Sequence, residues 1–260
     1  MKPFTYHAPT TVAEAVEMLD KYQSSCAVVA GGTDVVIELN ERHKTPEHVI
    51  SISKLDELRY VKEEDGMVKI GALTTFTDLE NNPYVKEKLP ALYETAIHVG
   101  SPQIRNLGTI GGNVVNASVA GDSPTTLVTL GASVVLRSAK GERIMTIEDF
   151  NKGPGNCAIR PDELMVEARF PVIGPDEAVG YFKIGKRKSL AIVVLAVSIY
   201  VKRTADNKVE DCRVVLGAVS KHPMRSPELE ALLKGKSLGA GVLYDTLPAF
   251  TDAVPGAIPT

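Results

Sequence analysis

A glycine pair sits where an apolar strand gives way to a helix: Ala30-Gly31-Gly32-Thr33-Asp34 follows Cys26-Ala27-Val28-Val29 and precedes Val35-Val36-Ile37-Glu38-Leu39. A strand that breaks in this way leaves bare backbone amides at a helix N-terminus, and together they cradle an anion. The chain is therefore expected to grip a phosphorylated cofactor. A second pair stands in Thr109-Ile110-Gly111-Gly112-Asn113. Neither segment fits the Gly-x-Gly-x-x-Gly dinucleotide fingerprint, and neither carries the Gly-Lys-Ser/Thr of a nucleoside triphosphatase. A plain turn capped by Asp34 fits the first pair as well, and a loop whose Asn side chains satisfy local turns fits the second. Two such segments within one lobe-sized stretch favour a shared ligand.

With 260 residues, 44% of them hydrophobic, the chain can bury a core and form two domains. The 29 Lys and Arg nearly balance the 32 Asp and Glu, for a formal charge of -3, so no electrostatic grip on nucleic acid or an anionic membrane is encoded. The longest apolar run, Leu190 to Val197, falls short of the ~18 residues a membrane span needs. The start, Met1-Lys2-Pro3-Phe4-Thr5, lacks the apolar segment of an export signal, so a cytoplasmic location is expected. Cys26, Cys157 and Cys212 never form Cys-x-x-Cys, and His7, His43, His48, His98 and His222 lack ligand spacing. No metal site is expected on this chain. No Ser-His-Asp or Cys-His arrangement appears either, so no catalytic residue is assigned.

Thr10-Thr11 opens a helix in which Val12, Ala15, Val16 and Leu19 recur at helical spacing. A strand at 27–30, the first glycine turn, a helix from about 33 to 40 and a strand at 48–52 complete a βαβ-like opening. Further on, 67–72 reads as a strand, Thr77-Asp78 as the cap of a short helix, and 89–99 as a buried helix. Residues 101–108 show no clear period and run into the second glycine pair. Pro124 marks the first turn of a helix through Leu130, where its missing N–H costs nothing. Strands are expected at 133–137 and 163–170, with a turn at Lys140-Gly141-Glu142. Composition shifts at Pro171-Val172-Ile173-Gly174-Pro175, the expected linker. Three β-runs follow at 179–186, 191–202 and 211–220, with 227–233 and 243–249 as candidate covering helices.

Thr33 and Asp34 can cap the first helix or meet a phosphate or ribose. Thr109, Asn113, Asn116 and Ser118 punctuate a small-residue stretch ending at Asp122, which suits a flat ligand lying against backbone. Asp122 can there accept from a ribose hydroxyl or an adenine amine. Lys183, Lys186, Arg187 and Lys188 form a basic cluster whose simplest explanation is a solvated face. Lys183 stands apart, because strand periodicity puts it opposite Phe182 and beside Gly185 and Arg187.

The segments AGGTD at 30–34, QIRNLGTIGGN at 103–113, NASVAGD at 116–122 and YFKIGKR at 181–187 resemble the FAD-binding medium subunits of the molybdenum hydroxylases, among them xanthine, nicotinate and carbon monoxide dehydrogenases. The resemblance runs from Phe4 to about Leu247. It implies an α+β fold: a two-lobed FAD-binding domain of the vanillyl-alcohol-oxidase (PCMH) type over residues 1–172, with lobes of about 1–55 and 56–172. A C-terminal domain over 176–260 would follow, a three-stranded antiparallel sheet with helices. Residue by residue, Ala27, Val28, Val29, Ala30, Gly31, Gly32, Thr33 and Asp34 would wrap the FAD pyrophosphate. Thr109, Ile110, Gly111, Gly112 and Asn113 would line the diphosphate and ribityl side, with Gly100, Asn116 and Asp122 completing the site. Met165 would pack on the cofactor, and Lys183 would reach the isoalloxazine edge.

The resemblance further implies FAD, NAD or another molecule as the electron acceptor, and molybdenum cofactor and 2Fe-2S clusters held only on partner subunits; noncovalent FAD is expected because no histidine or cysteine stands in either glycine segment. The partners would be an iron–sulfur small subunit and a molybdenum-cofactor large subunit, with no nucleic acid and no membrane. Two departures stand out. Relatives carry an aromatic residue in a turn near Gly155, whereas Gly153-Pro154-Gly155-Asn156 has none, and the relatives' C-terminal Ser-x-x-Tyr-Lys/Arg segment and closing helix do not precede Thr260. A self-contained flavin oxidoreductase and a non-catalytic nucleotide-binding assembly module are the rival readings. The first needs a larger substrate domain than the ~90 residues after the linker.

Overall fold

The structure, a computed structural model, describes residues 1–187 and 190–237. Strands β1 (Thr5–His7), β2 (Cys26–Val29) and β3 (His48–Ser51) form a parallel sheet in the order β1-β3-β2. Parallel neighbours require crossovers, which helices α1 (Val12–Tyr22) and α2 (Val35–Asn40) provide. Thr11 caps α1 by accepting from the Glu14 amide. The sequence reading anticipated both helices and strands β2 and β3 but not β1, whose three residues are too few to show a period.

A second sheet, antiparallel throughout, runs β4-β5-β10-β6-β7: β4 (Val61–Glu64), β5 (Met67–Gly71), β6 (Ser133–Ser138), β7 (Gly141–Thr146) and the central β10 (Leu164–Pro171). A two-stranded pair, β8 (Asn151–Gly153) and β9 (Asn156–Cys157), stands beside it. Gly141 begins β7, so the expected turn at 140–142 is tighter than read, and Ser138 pairs directly with Gly141. Helix α1 packs between the two sheets: Val12, Ala15, Val16 and Leu19 share one apolar cluster with Ile50 and Ile52 from one side and Val135, Leu164 and Val166 from the other.

Against the opposite face of the second sheet lie α3 (Phe76–Asn81), α4 (Pro83–Lys88), α5 (Pro90–His98), α7 (Ile110–Asn116) and α8 (Asp122–Thr129), with the single turn α9 (Ile147–Phe150), while α6 (Pro102–Leu107), which buries no residue, packs on α3. Two expectations are corrected here. The cap of α3 is Thr75, not Thr77: its hydroxyl accepts from the Asp78 amide while the Asp78 carboxylate accepts from the Thr75 amide. The stretch 101–108 is a helix capped by Ser101 with Pro102 in its first turn.

The third sheet runs β11-β12-β13-β14, from β11 (Glu177–Gly185), β12 (Val193–Arg203), β13 (Val209–Gly217) and the two-residue β14 (Met224–Arg225). It has four strands rather than the three expected, because the chain turns back after β13 and Met224 pairs with Leu216. Helix α10 (Pro227–Leu233) covers one face through Leu229 and Leu233. The other face meets α5 and α8, and Val179, Tyr200 and Val215 join the large cluster of the second sheet. Val172 and Ile173 of the expected linker pack on that same cluster. The candidate helix at 243–249 and Lys188 lie outside the described residues.

Candidate functional site

A cavity of about 820 Å³ opens between the end of β2, helices α6 and α7, and the start of β10. That volume falls within the usual range for small-molecule sites. One wall is the turn after β2. Among the described residues, the backbone N–H groups of Gly31, Gly32, Thr33, Asp34 and Val35 donate to no protein acceptor, although helix α2 begins at once. Five consecutive donors are thus left for a ligand beside a helix N-terminus. The turn is held in this form by sterics. A Cβ on Gly31 would lie 1.7 Å from the carbonyl oxygen of Leu107, and Gly32 has φ +75, a conformation that L side chains rarely adopt. Asp34 does not cap α2: among the described residues its carboxylate accepts only from the neighbouring Thr33 hydroxyl, at 3.4 Å.

The second glycine pair is built differently. It is not a loop but the first turn of α7, whose cap Thr109 accepts from the Gly112 amide at 3.1 Å. The Ile110 and Gly111 amides donate to the carbonyls of Thr74 and Ala72, and the Asn113 amide to that of Thr109. These donors are spent within the protein. A Cβ on Gly111 would meet Ala72 at 2.6 Å, so this glycine seats α7 against the chain after β5. Here the cavity meets a surface, not an amide cradle. Asn113 Oδ1 accepts from the Ser123 amide and hydroxyl, tying α7 to α8.

Of the residues singled out by sequence, Ala27, Val28, Ala30 to Asp34, Gly100, Thr109, Gly111 to Asn113, Asn116, Asp122 and Met165 line the cavity. Val29, Ile110 and Lys183 do not. The Lys183 ammonium instead donates to Asp122 Oδ2 at 2.8 Å and to the His98 carbonyl at 3.0 Å, with its side chain only 6% exposed. The sequence reading missed Tyr181, whose hydroxyl donates to Asp122 Oδ1 at 2.8 Å. The signal was present: 181 and 183 share a strand face, and that face turns inward. Burial pushes the Asp122 carboxyl up, and the Lys183 ammonium and the Tyr181 hydroxyl pull it back. Burial and the adjacent carboxylate push the Tyr181 phenol well above its ordinary value.

Cationic side chains also reach the wall. Arg160 and Arg187 line it, and the Arg187 guanidinium donates to the Leu190 carbonyl. Lys44 is paired with Glu38 at 2.7 Å. Burial pushes the Glu163 carboxyl up, but two hydrogen bonds from Arg143, at 2.9 and 2.7 Å, the Arg160 amide at 2.8 Å and the charges of both arginines together keep it below the usual range. Among the described residues no group of three His, Cys, Asp or Glu side chains could hold a metal ion, and no helix is long and apolar enough to cross a membrane.

An unpaired amide array at a helix start, on the wall of a mostly apolar cavity, is chemically suited to a phosphate-bearing ligand. Comparison with known proteins specifies the class. Residues 2–173 match the FAD binding domain in molybdopterin dehydrogenase, and residues 180–256 match the CO dehydrogenase flavoprotein C-terminal domain. The chain is 42% identical over 264 residues to the nicotinate dehydrogenase FAD-subunit of Eubacterium barkeri, covering 98% of this chain and 87% of that one. It is 33% identical to the xanthine dehydrogenase FAD-binding subunit of Escherichia coli O157:H7, covering 96% and 84%. A solved carbon monoxide dehydrogenase from Hydrogenophaga pseudoflava superposes with a TM-score of 0.89 at 32% identity, over 99% of this chain and 90% of that one. The chain belongs to the FAD-binding medium subunits of the molybdenum hydroxylases. It is an FAD-dependent oxidoreductase subunit of the nicotinate and xanthine dehydrogenase kind.

Proposed function

We propose that this subunit passes electrons from 2Fe-2S clusters of a partner small subunit, through FAD, to NAD+ or another acceptor, while a large subunit with molybdenum cofactor hydroxylates an N-heterocycle such as xanthine or nicotinate. The observation that carries the reading is the run of five unpaired amides from Gly31 to Val35 on the cavity wall. In this reading 1–172 is the FAD-binding domain and 176–260 the C-terminal domain, in a cytoplasmic complex. Ala27 to Asp34 wrap the pyrophosphate, with the free backbone N–H groups from Gly31 onward as its donors. The α7 surface at Thr109 to Asn113 carries the ribityl side, and Gly100, Asn116, Asp122 and Met165 bound the remainder. When bound, the isoalloxazine supplies the redox chemistry, accepting electrons singly and releasing them as a pair, while the protein supplies binding and orientation.

The cofactor is held noncovalently, since no histidine or cysteine stands in either glycine segment. The test is to load the purified chain with FAD and precipitate it with acid. All flavin is expected in the supernatant, at one per chain. Flavin that stays with the precipitate overturns noncovalent attachment, and a chain that binds no flavin overturns the reading.

A further inference from the structure

Strand β11 divides its side chains sharply. Phe182 and Ile184 point outward, 66% and 47% exposed, while Tyr181 and Lys183 point inward and both end on the carboxylate of Asp122. That carboxylate opens α8, where a helix N-terminus favours negative charge, and the ammonium also binds the carbonyl of His98, the last residue of α5, where a helix C-terminus favours positive charge. The pair therefore closes the seam between the third sheet and two helices of the second layer. Asp122 also lines the cavity, whereas Lys183 does not. One buried side chain thus faces both the ligand space and the third sheet.

We infer that Tyr181 and Lys183 are positioning residues that hold Asp122 toward the cofactor cavity, so that cofactor binding and docking of the third sheet strengthen each other through that one carboxylate. The inference rests on the FAD reading above. Coupling of this kind is reciprocal: whatever sheet docking adds to cofactor affinity, cofactor adds to docking. Ligand occupancy is then expected to reach β12, none of whose residues lines the cavity, although Leu190, Ala191 and Ile192 just before it do.

The experiment uses the full chain and its Tyr181→Phe, Asp122→Asn and Tyr181→Phe/Asp122→Asn variants. FAD affinity is read by flavin fluorescence, and amide exchange is followed in Val193–Arg203. Tyr181→Phe, which keeps the ring, is expected to weaken FAD about tenfold for one lost hydrogen bond to a charged group. The double variant should be no weaker than Asp122→Asn alone, because Tyr181 acts only through Asp122. FAD should slow exchange in Val193–Arg203 in the wild type and not in Asp122→Asn. Lys183→Arg should retain more of the affinity than Lys183→Met. Additive losses, or unchanged affinity in Tyr181→Phe, overturn the coupling while leaving the FAD reading intact. A wild-type chain that binds no FAD overturns both.

Discussion

At the scale of single residues, Gly31 and Gly32 illustrate two separate demands. Gly31 lacks a side chain because Leu107 of α6 presses its carbonyl against the turn, and Gly32 because the backbone there is left-handed. Replacing Gly32 with valine adds a β-branched side chain at positive φ and brings bulk to the amide array. Gly32→Val is expected to abolish FAD binding in a fluorescence titration, whereas Asp122→Ala should cost about 1–3 kcal/mol of binding free energy. Small and equal losses in both would place the cradle elsewhere. Glu163 carries a pH dependence. Its folded pKa lies below the unfolded value of about 4.3, so its contribution to stability is complete above that value and fades as pH falls through the folded pKa. The stability gap between wild type and Glu163→Gln in urea should therefore be constant from pH 6 to 8 and shrink below about pH 4.

At the scale of elements, the helices around the cavity are short and depend on their caps. Thr75 closes a reciprocal capping box on α3 and also bridges to Thr109, the cap of α7. One residue thus supports the starts of two helices. Thr75→Ala is expected to destabilise the protein by about 1 kcal/mol, seen as a lower urea midpoint with an unchanged slope. Thr77→Ala, at a half-buried position whose hydroxyl donates to Asn106 rather than capping the helix, should change it by less. Helix α8 is buried along its whole length despite four hydroxyl side chains in Ser123, Thr125, Thr126 and Thr129. Thr129 donates to the carbonyls of Thr125 and Ser198, the latter on β12, so the helix is polar where it meets the third sheet. Its sequence has no amphipathic period because both sides are covered.

For the molecule as a whole, three sheets stack through α1 and through the α3–α8 layer, and the cavity lies where the first two meet. The chain belongs to an FAD-binding family, and among the described residues no group of three His, Cys, Asp or Glu side chains could hold a metal ion. Loaded with FAD, the isolated chain is expected to oxidise NADH slowly with a tetrazolium dye and to leave xanthine and nicotinate untouched. Under anaerobic conditions NADH should bleach the visible flavin absorbance. An FAD-loaded chain that NADH does not bleach moves the acceptor away from NAD. Hydroxylation of either heterocycle by this chain alone ends the subunit reading.

The first glycine turn was legible in the residues alone, because a strand, two glycines and a helix are local events governed by backbone sterics. So were α1, β12 and β13, whose apolar periods span enough residues to register. The second glycine pair misleads in isolation. Whether Ile110 and Gly111 offer their amides to a ligand depends on the carbonyls of Thr74 and Ala72, more than thirty residues upstream, and only the packing of α7 against the second sheet brings them together. The same holds for Asp122 and Lys183, 61 positions apart in the chain. Residue type makes each of them polar and chargeable, but burial and a 2.8 Å approach turn them into a pair, and those are properties of the assembled layers.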